Sequence, residues 1–231
     1  MAAIPLQRYV EYPESDGQPM AESDLHIKEM LDLIAALKRR YQDVADVYVA
    51  GNLFLYYVQG DPRSVVAPDV FLVKGVPKGP RGVYKLWIEG RAPSLVVEIT
   101  SNSTRVEDTN RKKACYERLG VEEYFLHDPT GDYLTPRLQG FRLAAGRYQP
   151  LRPNPDGSLD SRTTGLTLKV EGDNLRLVDI RTGEPLLWVD ELGDRLRQSE
   201  ARHSAAQERA EQLEEELDRL RRVLKQAGLT D

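Results

Sequence analysis

Glu98 stands inside the run Ser94–Thr100, flanked by Leu95, Val96, Val97 and Ile99. An apolar, β-branched run of this length predicts a central β-strand. A carboxylate in such a strand is costly unless something pairs with it. Asp69 poses the same question, since it follows Pro68 and precedes Val70, Phe71 and Leu72. If the two strands are neighbours, their carboxylates converge at one end of a sheet. The chain must then fold around a sheet that supplies partners for both acids.

The order of the other elements agrees with such a sheet. Ser23 or Asp24 is a candidate N-cap, and Ile27, Met30, Leu31, Ile34 and Leu37 recur at helical spacing through Arg40. VYVAGNLFLYYV (47–58) reads as two short strands joined by a hairpin turn at Gly51-Asn52. Residues 74–92 form a long connection around the short stretch VYKLWIE. A helix is expected from about Asp108 to Leu119, ended by Gly120. EEYFLHD (122–128) is a further strand stopped by Asp128-Pro129, and shorter strands run on to about Val189. The expected fold is a mixed α/β sheet flanked by helices, with a β-rich extension. The domain covers 1–190. From 191 to 231 the chain lacks proline and is dense in Glu, Arg, Leu and Ala.

That last segment carries one unbroken alternation of four- and three-residue steps: Leu192, Leu196, Ser199, His203, Ala206, Ala210, Leu213, Leu217, Leu220 and Leu224. This is the a/d seam of a heptad repeat and predicts a coiled-coil helix that joins two copies in a homodimer. A helix folded back on its own domain is the alternative.

Composition narrows the function. The 231 residues carry a net charge of −5, which counts against a protein that simply coats DNA but leaves room for an enzyme with a local basic face. One cysteine, Cys115, excludes an internal disulfide and suits a reducing cytoplasm. No apolar run has the length of a membrane span. The scattered His26, His127 and His203 lack zinc-ligand spacing. No Walker, G-x-G-x-x-G or G-x-S-x-G motif is present.

Two carboxylates at one sheet end offer the hard oxygen donors that Mg²⁺ prefers. The helix that follows carries Arg111, Lys112, Lys113 and Arg118, and Asp108, Lys112 and Tyr116 are spaced by four on one face. A lysine there can approach the end of the preceding strand, or remain a solvated partner of Asp108. Between the acids, Lys74, Lys78, Arg81, Lys85 and Arg91 are opposed by Glu89 alone and interleaved with Tyr84 and Trp87. They read equally as a nucleic-acid grip or an ordinary solvated loop.

APDVFLV, then PSLVVEIT, then STRVEDTNRKKACYERLGVEEYFLHDP, resembles the Uma-two family of endonucleases, in the PD-(D/E)XK restriction-endonuclease-like superfamily. The resemblance spans roughly 20–190 and is strongest over 66–129. It implies Mg²⁺ or Mn²⁺ held by Asp69, Glu98 and the peptide carbonyl of Ile99, with DNA as substrate. It also implies Lys112 as the catalytic lysine, because Thr100 stands where the parent motif has lysine. The first helix of this superfamily sometimes adds an acid, which brings Glu22, and with it the nearby His26, into consideration. The resemblance thus implies a metal-dependent endonuclease with catalytic Asp69, Glu98 and Lys112. The alternative is a nuclease fold without useful catalysis that serves as a binding or coiled-coil assembly module.

Overall fold

A computed structural model describes residues 10–15 and 23–226. Helix α1, Asp24–Arg40, starts at the N-cap Ser23, whose hydroxyl accepts a hydrogen bond from the His26 N–H. In chain order there follow β1 (Val47–Ala50), β2 (Leu55–Tyr56), β3 (Val65–Val66), β4 (Val70–Lys74), β5 (Tyr84–Lys85), the short α2 (Leu86–Glu89) and β6 (Leu95–Ile99). A π-helical segment, Glu107–Lys112, runs into α3, Lys113–Leu119. Then come β7 (Glu123–His127), β8 (Leu138–Ala144), β9 (Arg147–Pro150), β10 (Leu159–Ser161), β11 (Leu166–Glu171), β12 (Asn174–Asp179) and α4 (Val189–Gln226).

The main sheet has six strands in the order β1-β4-β6-β7-β8-β9, antiparallel except between β6 and β7. Side-chain alternation along β6 divides the core. Leu95, Val97 and Ile99 face α1 and the β10-β11-β12 sheet, among Leu33, Leu37, Phe125 and Leu166. Val96 faces the other way, among Cys115, Tyr116 and Tyr124. Glu98 shares the Val96 side and meets Tyr116 there. The chain is therefore a mixed α/β fold with sheets flanked by helices. No helix among the described residues is long and apolar enough to cross a membrane.

Two elements differ from the sequence expectation. Residues 47–58 form no hairpin: β1 pairs with β4, and β2 joins a separate sheet, β3-β2-β5. Gly51 passes so close to β4 that a Cβ there would stand 2.0 Å from the Asp69 carbonyl oxygen. The Asn52 N–H bonds the Pro68 carbonyl at 2.8 Å with φ at 49°. The Gly-Asn pair thus carries the chain past Asp69 instead of reversing it. The helix expected from Asp108 begins earlier, at Arg105, and passes through a π-helical stretch over Glu107–Lys112. Thr109 Oγ1 and Asn110 Nδ2 donate to the carbonyls of Arg105 and Val106, four residues back, and compete with the α-helical ladder.

The chain divides into two compact units near Leu186. The second contains α4, a helix of 38 residues. Leu213, Leu217, Leu220 and Leu224 are all exposed on it.

Candidate active site

Extending the β4–β6 register by one step, from Val70 opposite Val97, sets Asp69 opposite Glu98. The backbone ties the two together. Asp69 Oδ2 accepts the Ile99 N–H at 2.7 Å, and Glu98 Oε2 accepts the Asp69 N–H at 3.4 Å. The acids that stood alone in the sequence therefore meet at one end of the sheet.

Glu98 is fully buried, and its partners come from the helix that follows. Lys112 Nζ donates to Glu98 Oε2 at 2.9 Å and lies 3.1 Å from Asp108 Oδ1. The Tyr116 hydroxyl donates to Glu98 Oε1 at 2.6 Å. The Tyr124 hydroxyl donates to the Asp108 carbonyl and pins the π-helical turn to β7. Lys112 is thus no solvated surface lysine. Lys113 points elsewhere, with its ammonium 3.5 Å from the centroid of the Phe141 ring.

Charge balance follows from burial. Burial pushes the Glu98 carboxyl well above its usual range, Asp69 and Asp108 push the same way, and Lys112 opposes them. Asp108 is likewise raised, first by burial. Burial also acts to raise Asp69, but His26, Lys112 and the Ile99 N–H outweigh it and hold this carboxyl below its ordinary value. Lys112 is pulled down by burial and more strongly up by Glu98, Asp108 and Asp69, so its ammonium stays charged.

α1 adds a residue that sequence reasoning left open. His26 Nε2 lies 3.4 Å from Asp69 Oδ1. Glu22 falls outside the described residues. One turn beyond His26, Glu29 Oε1 meets His127 Nδ1 at 2.5 Å, with both side chains buried. That pair was not anticipated, although His127 lies in an apolar strand run as Glu98 does. Three cations of the 74–92 connection are engaged by the protein itself, although Lys74 and Lys78 stay exposed. Lys74 bonds the Thr163 carbonyl, Lys78 the carbonyls of Tyr41 and Gln42, and Arg81 pairs with Glu89. Cys115 is buried.

Among the described residues no cluster of three or more His, Cys, Asp or Glu side chains has the arrangement of a metal site. Two carboxylates and a peptide carbonyl fall below that number. They fit a hard divalent cation that keeps several waters. Three buried or nearly buried carboxylates face one ammonium group, an excess of negative charge that such a cation would offset.

A cleft of about 600 Å³ opens beside Lys112, lined by Phe54, Val66, Arg63 and Arg111 among others. A mixed sheet that brings two acids and a helix-borne lysine together defines a restriction-endonuclease-like class. The Uma2 family, described as "Putative restriction endonuclease", matches residues 5–172, and the chain belongs to it. It is also similar to a solved structure described as a putative nuclease belonging to DUF820 from Anabaena variabilis ATCC 29413. The identity is 14%, the TM-score 0.47, and the match covers 63% of this chain and 76% of the other. No curated protein matches the sequence.

Proposed function

We propose that this protein is a metal-dependent endonuclease that hydrolyses DNA phosphodiester bonds at the Asp69–Glu98–Lys112 site. The observation that carries the reading is the bonding of Lys112 to Glu98 across 14 residues of sequence. Asp69, Glu98 and the Ile99 carbonyl would hold Mg²⁺ or Mn²⁺. When bound, such an ion lowers the pKa of a coordinated water and polarises a phosphoryl oxygen.

The chain's own groups have distinct tasks. Lys112, held charged by three carboxylates, stabilises negative charge that develops on the phosphate as water attacks phosphorus and the alcohol oxygen leaves. Tyr116 fixes the orientation of Glu98, and His26 that of Asp69. A single, buried cysteine suits a cytoplasmic setting. Two copies pair through the α4 seam, a reading supported by its heptad spacing and by the exposure of Leu213, Leu217, Leu220 and Leu224.

The test is incubation of the purified protein with supercoiled plasmid, linear duplex, single-stranded DNA and RNA, with Mg²⁺, Mn²⁺ or chelator. Cleavage of DNA that needs metal is expected. No cleavage under any condition would leave a nuclease fold that acts by binding.

A further inference from the structure

Glu123 is an acid that the hydrolytic site does not use. It is buried on β7 and accepts from the Ser161 hydroxyl at 2.5 Å, the Arg162 N–H at 3.0 Å, the Thr163 N–H at 3.2 Å and Arg142 Nε at 2.8 Å. One carboxylate therefore fixes both an arginine side chain and the turn that carries another arginine. That turn forms the wall of a cleft of about 640 Å³ lined by Arg40, Arg142, Arg152, Arg162 and Arg181.

The acids of this cleft are already satisfied. Asp160 Oδ1 accepts from Thr167 Oγ1 at 2.7 Å and Asn154 Nδ2 at 3.1 Å. Asp179 Oδ1 accepts the Arg181 and Thr182 N–H groups, and its Oδ2 lies 3.3 Å from Arg40. Arg142 is committed to Glu123. Arg152 and Arg162 are exposed, and their side chains make no hydrogen bond or ion pair among the described residues. In a chain of net charge −5, this is a local cationic excess on a rigid frame.

We infer that the arginine-lined cleft is a second nucleic-acid contact, which binds the phosphodiester backbone away from the bond that is cut. Guanidinium forks match phosphate oxygens in pairs, which suits arginine to this task. The identity of the anion rests on the proposal that DNA is the substrate. The location adds a constraint. His26 and Arg40 lie 14 residues apart on α1, or roughly 21 Å at 1.5 Å per residue. Arg142 is paired with Glu123, beside Leu95, whereas Glu98 and Ile99 lie beside Leu126 and His127. The cleft therefore sits toward the other end of the strands and on the α1 face of the sheet, opposite the face that holds Glu98. A mononucleotide at Asp69 does not reach it, and a polymer of more than about six base pairs, at roughly 3.4 Å each, is needed to span the interval.

The experiment uses the full chain, the double variant R152A/R162A, and a control, R197A/R219A, with two arginines removed from α4 positions outside its seam. Binding of a fluorescein-labelled 20-base-pair duplex is followed by anisotropy in chelator across a salt series. The double variant should bind about tenfold more weakly at low salt, with the slope of log K against log salt reduced by about two. Its turnover of bis(p-nitrophenyl) phosphate, too small to reach the cleft, should equal that of wild type. Duplex binding and slope equal to wild type, or an equal loss in the control, would overturn the inference. So would duplex binding unchanged alongside loss of inorganic-phosphate binding by calorimetry, which would identify a small-anion site. A wild type that binds duplex but cleaves nothing would sink the nuclease proposal, while the anisotropy comparison still judges the cleft.

Discussion

Tyr116 donates its hydroxyl to Glu98 at 2.6 Å, and neither side chain is exposed to solvent. A helix residue thus holds a strand residue by a bond that water does not weaken. Tyr116→Phe keeps the ring, which still packs 5.2 Å from Tyr124, and deletes the bond. A hydrogen bond to a charged group contributes about 1.5–3 kcal/mol, so thermal unfolding should shift down measurably. Cleavage should slow by about tenfold, since Glu98 keeps Lys112 but loses its orientation. Unchanged stability and rate would show that the hydroxyl has no role.

Lys112→Met should cut cleavage by orders of magnitude, as loss of a transition-state charge partner does. Lys113→Met removes a contact with the Phe141 ring worth about 1 kcal/mol and should leave the rate near wild type. Rates for both variants on one DNA substrate decide the matter, and the reverse ranking would assign the role to Lys113.

The same Lys112→Met variant should show a pH-dependent loss of stability. Burial already raises the folded-state Glu98 carboxyl, and Lys112 opposes that rise. Without the ammonium the rise is larger. A carboxyl raised in the folded state costs stability as pH climbs from its unfolded value through its folded one. The deficit against wild type should therefore be larger at pH 8 than at pH 5, as read from urea midpoints. Equal deficits at the two values would mean that Lys112 does not compensate Glu98.

Asp69→Ala should abolish cleavage and weaken Mn²⁺ binding about tenfold or more by calorimetry, with the far-ultraviolet circular dichroism retained. Asp69 lies at the entrance to β4, ahead of the buried run Val70–Val73 that anchors the strand. Full activity in this variant would remove Asp69 from the site.

Truncation near Val189 should convert a dimer to a monomer in light scattering. In a parallel pair, each g residue meets the e residue five positions later on the partner helix. Arg195 then meets Glu200, Arg209 meets Glu214, and Glu216 meets Arg221, all of opposite charge. Each exposed pair contributes only a few tenths of a kcal/mol, so the charges set orientation while the leucines supply affinity. A full-length chain that stays monomeric at tens of micromolar, roughly where a short zipper associates, contradicts the pairing.

Much of the site was legible because burial makes polar residues conspicuous. An acid amid Leu, Val and Ile needs a partner, and that alone marks Glu98 and Asp69 as candidates. Spacing by four singled out Lys112 with Asp108 and Tyr116, although it did not show that Tyr116 reaches the acid. The hairpin reading failed because a Gly-Asn pair permits a reversal without enforcing one, and a close approach to Asp69 is invisible in one dimension. The π-helical turn coincides with Thr109 and Asn110 bonding to backbone carbonyls, contacts that propensity alone does not register. Glu123 and Glu29 were missed for another reason. Their partners Ser161 and His127 lie 38 and 98 positions away in sequence.

Thr100 leaves β6 without a lysine two positions after Glu98, and the ammonium arrives on the helix instead. A strand-borne lysine is in place as soon as the sheet forms. Here, local opening of residues 107–119 would withdraw the cation while every strand pair stayed intact. Such an opening needs less free energy than global unfolding. The acid pair and its cation thus stand on different elements of one domain, the acids on strands and the cation on the helix that follows them.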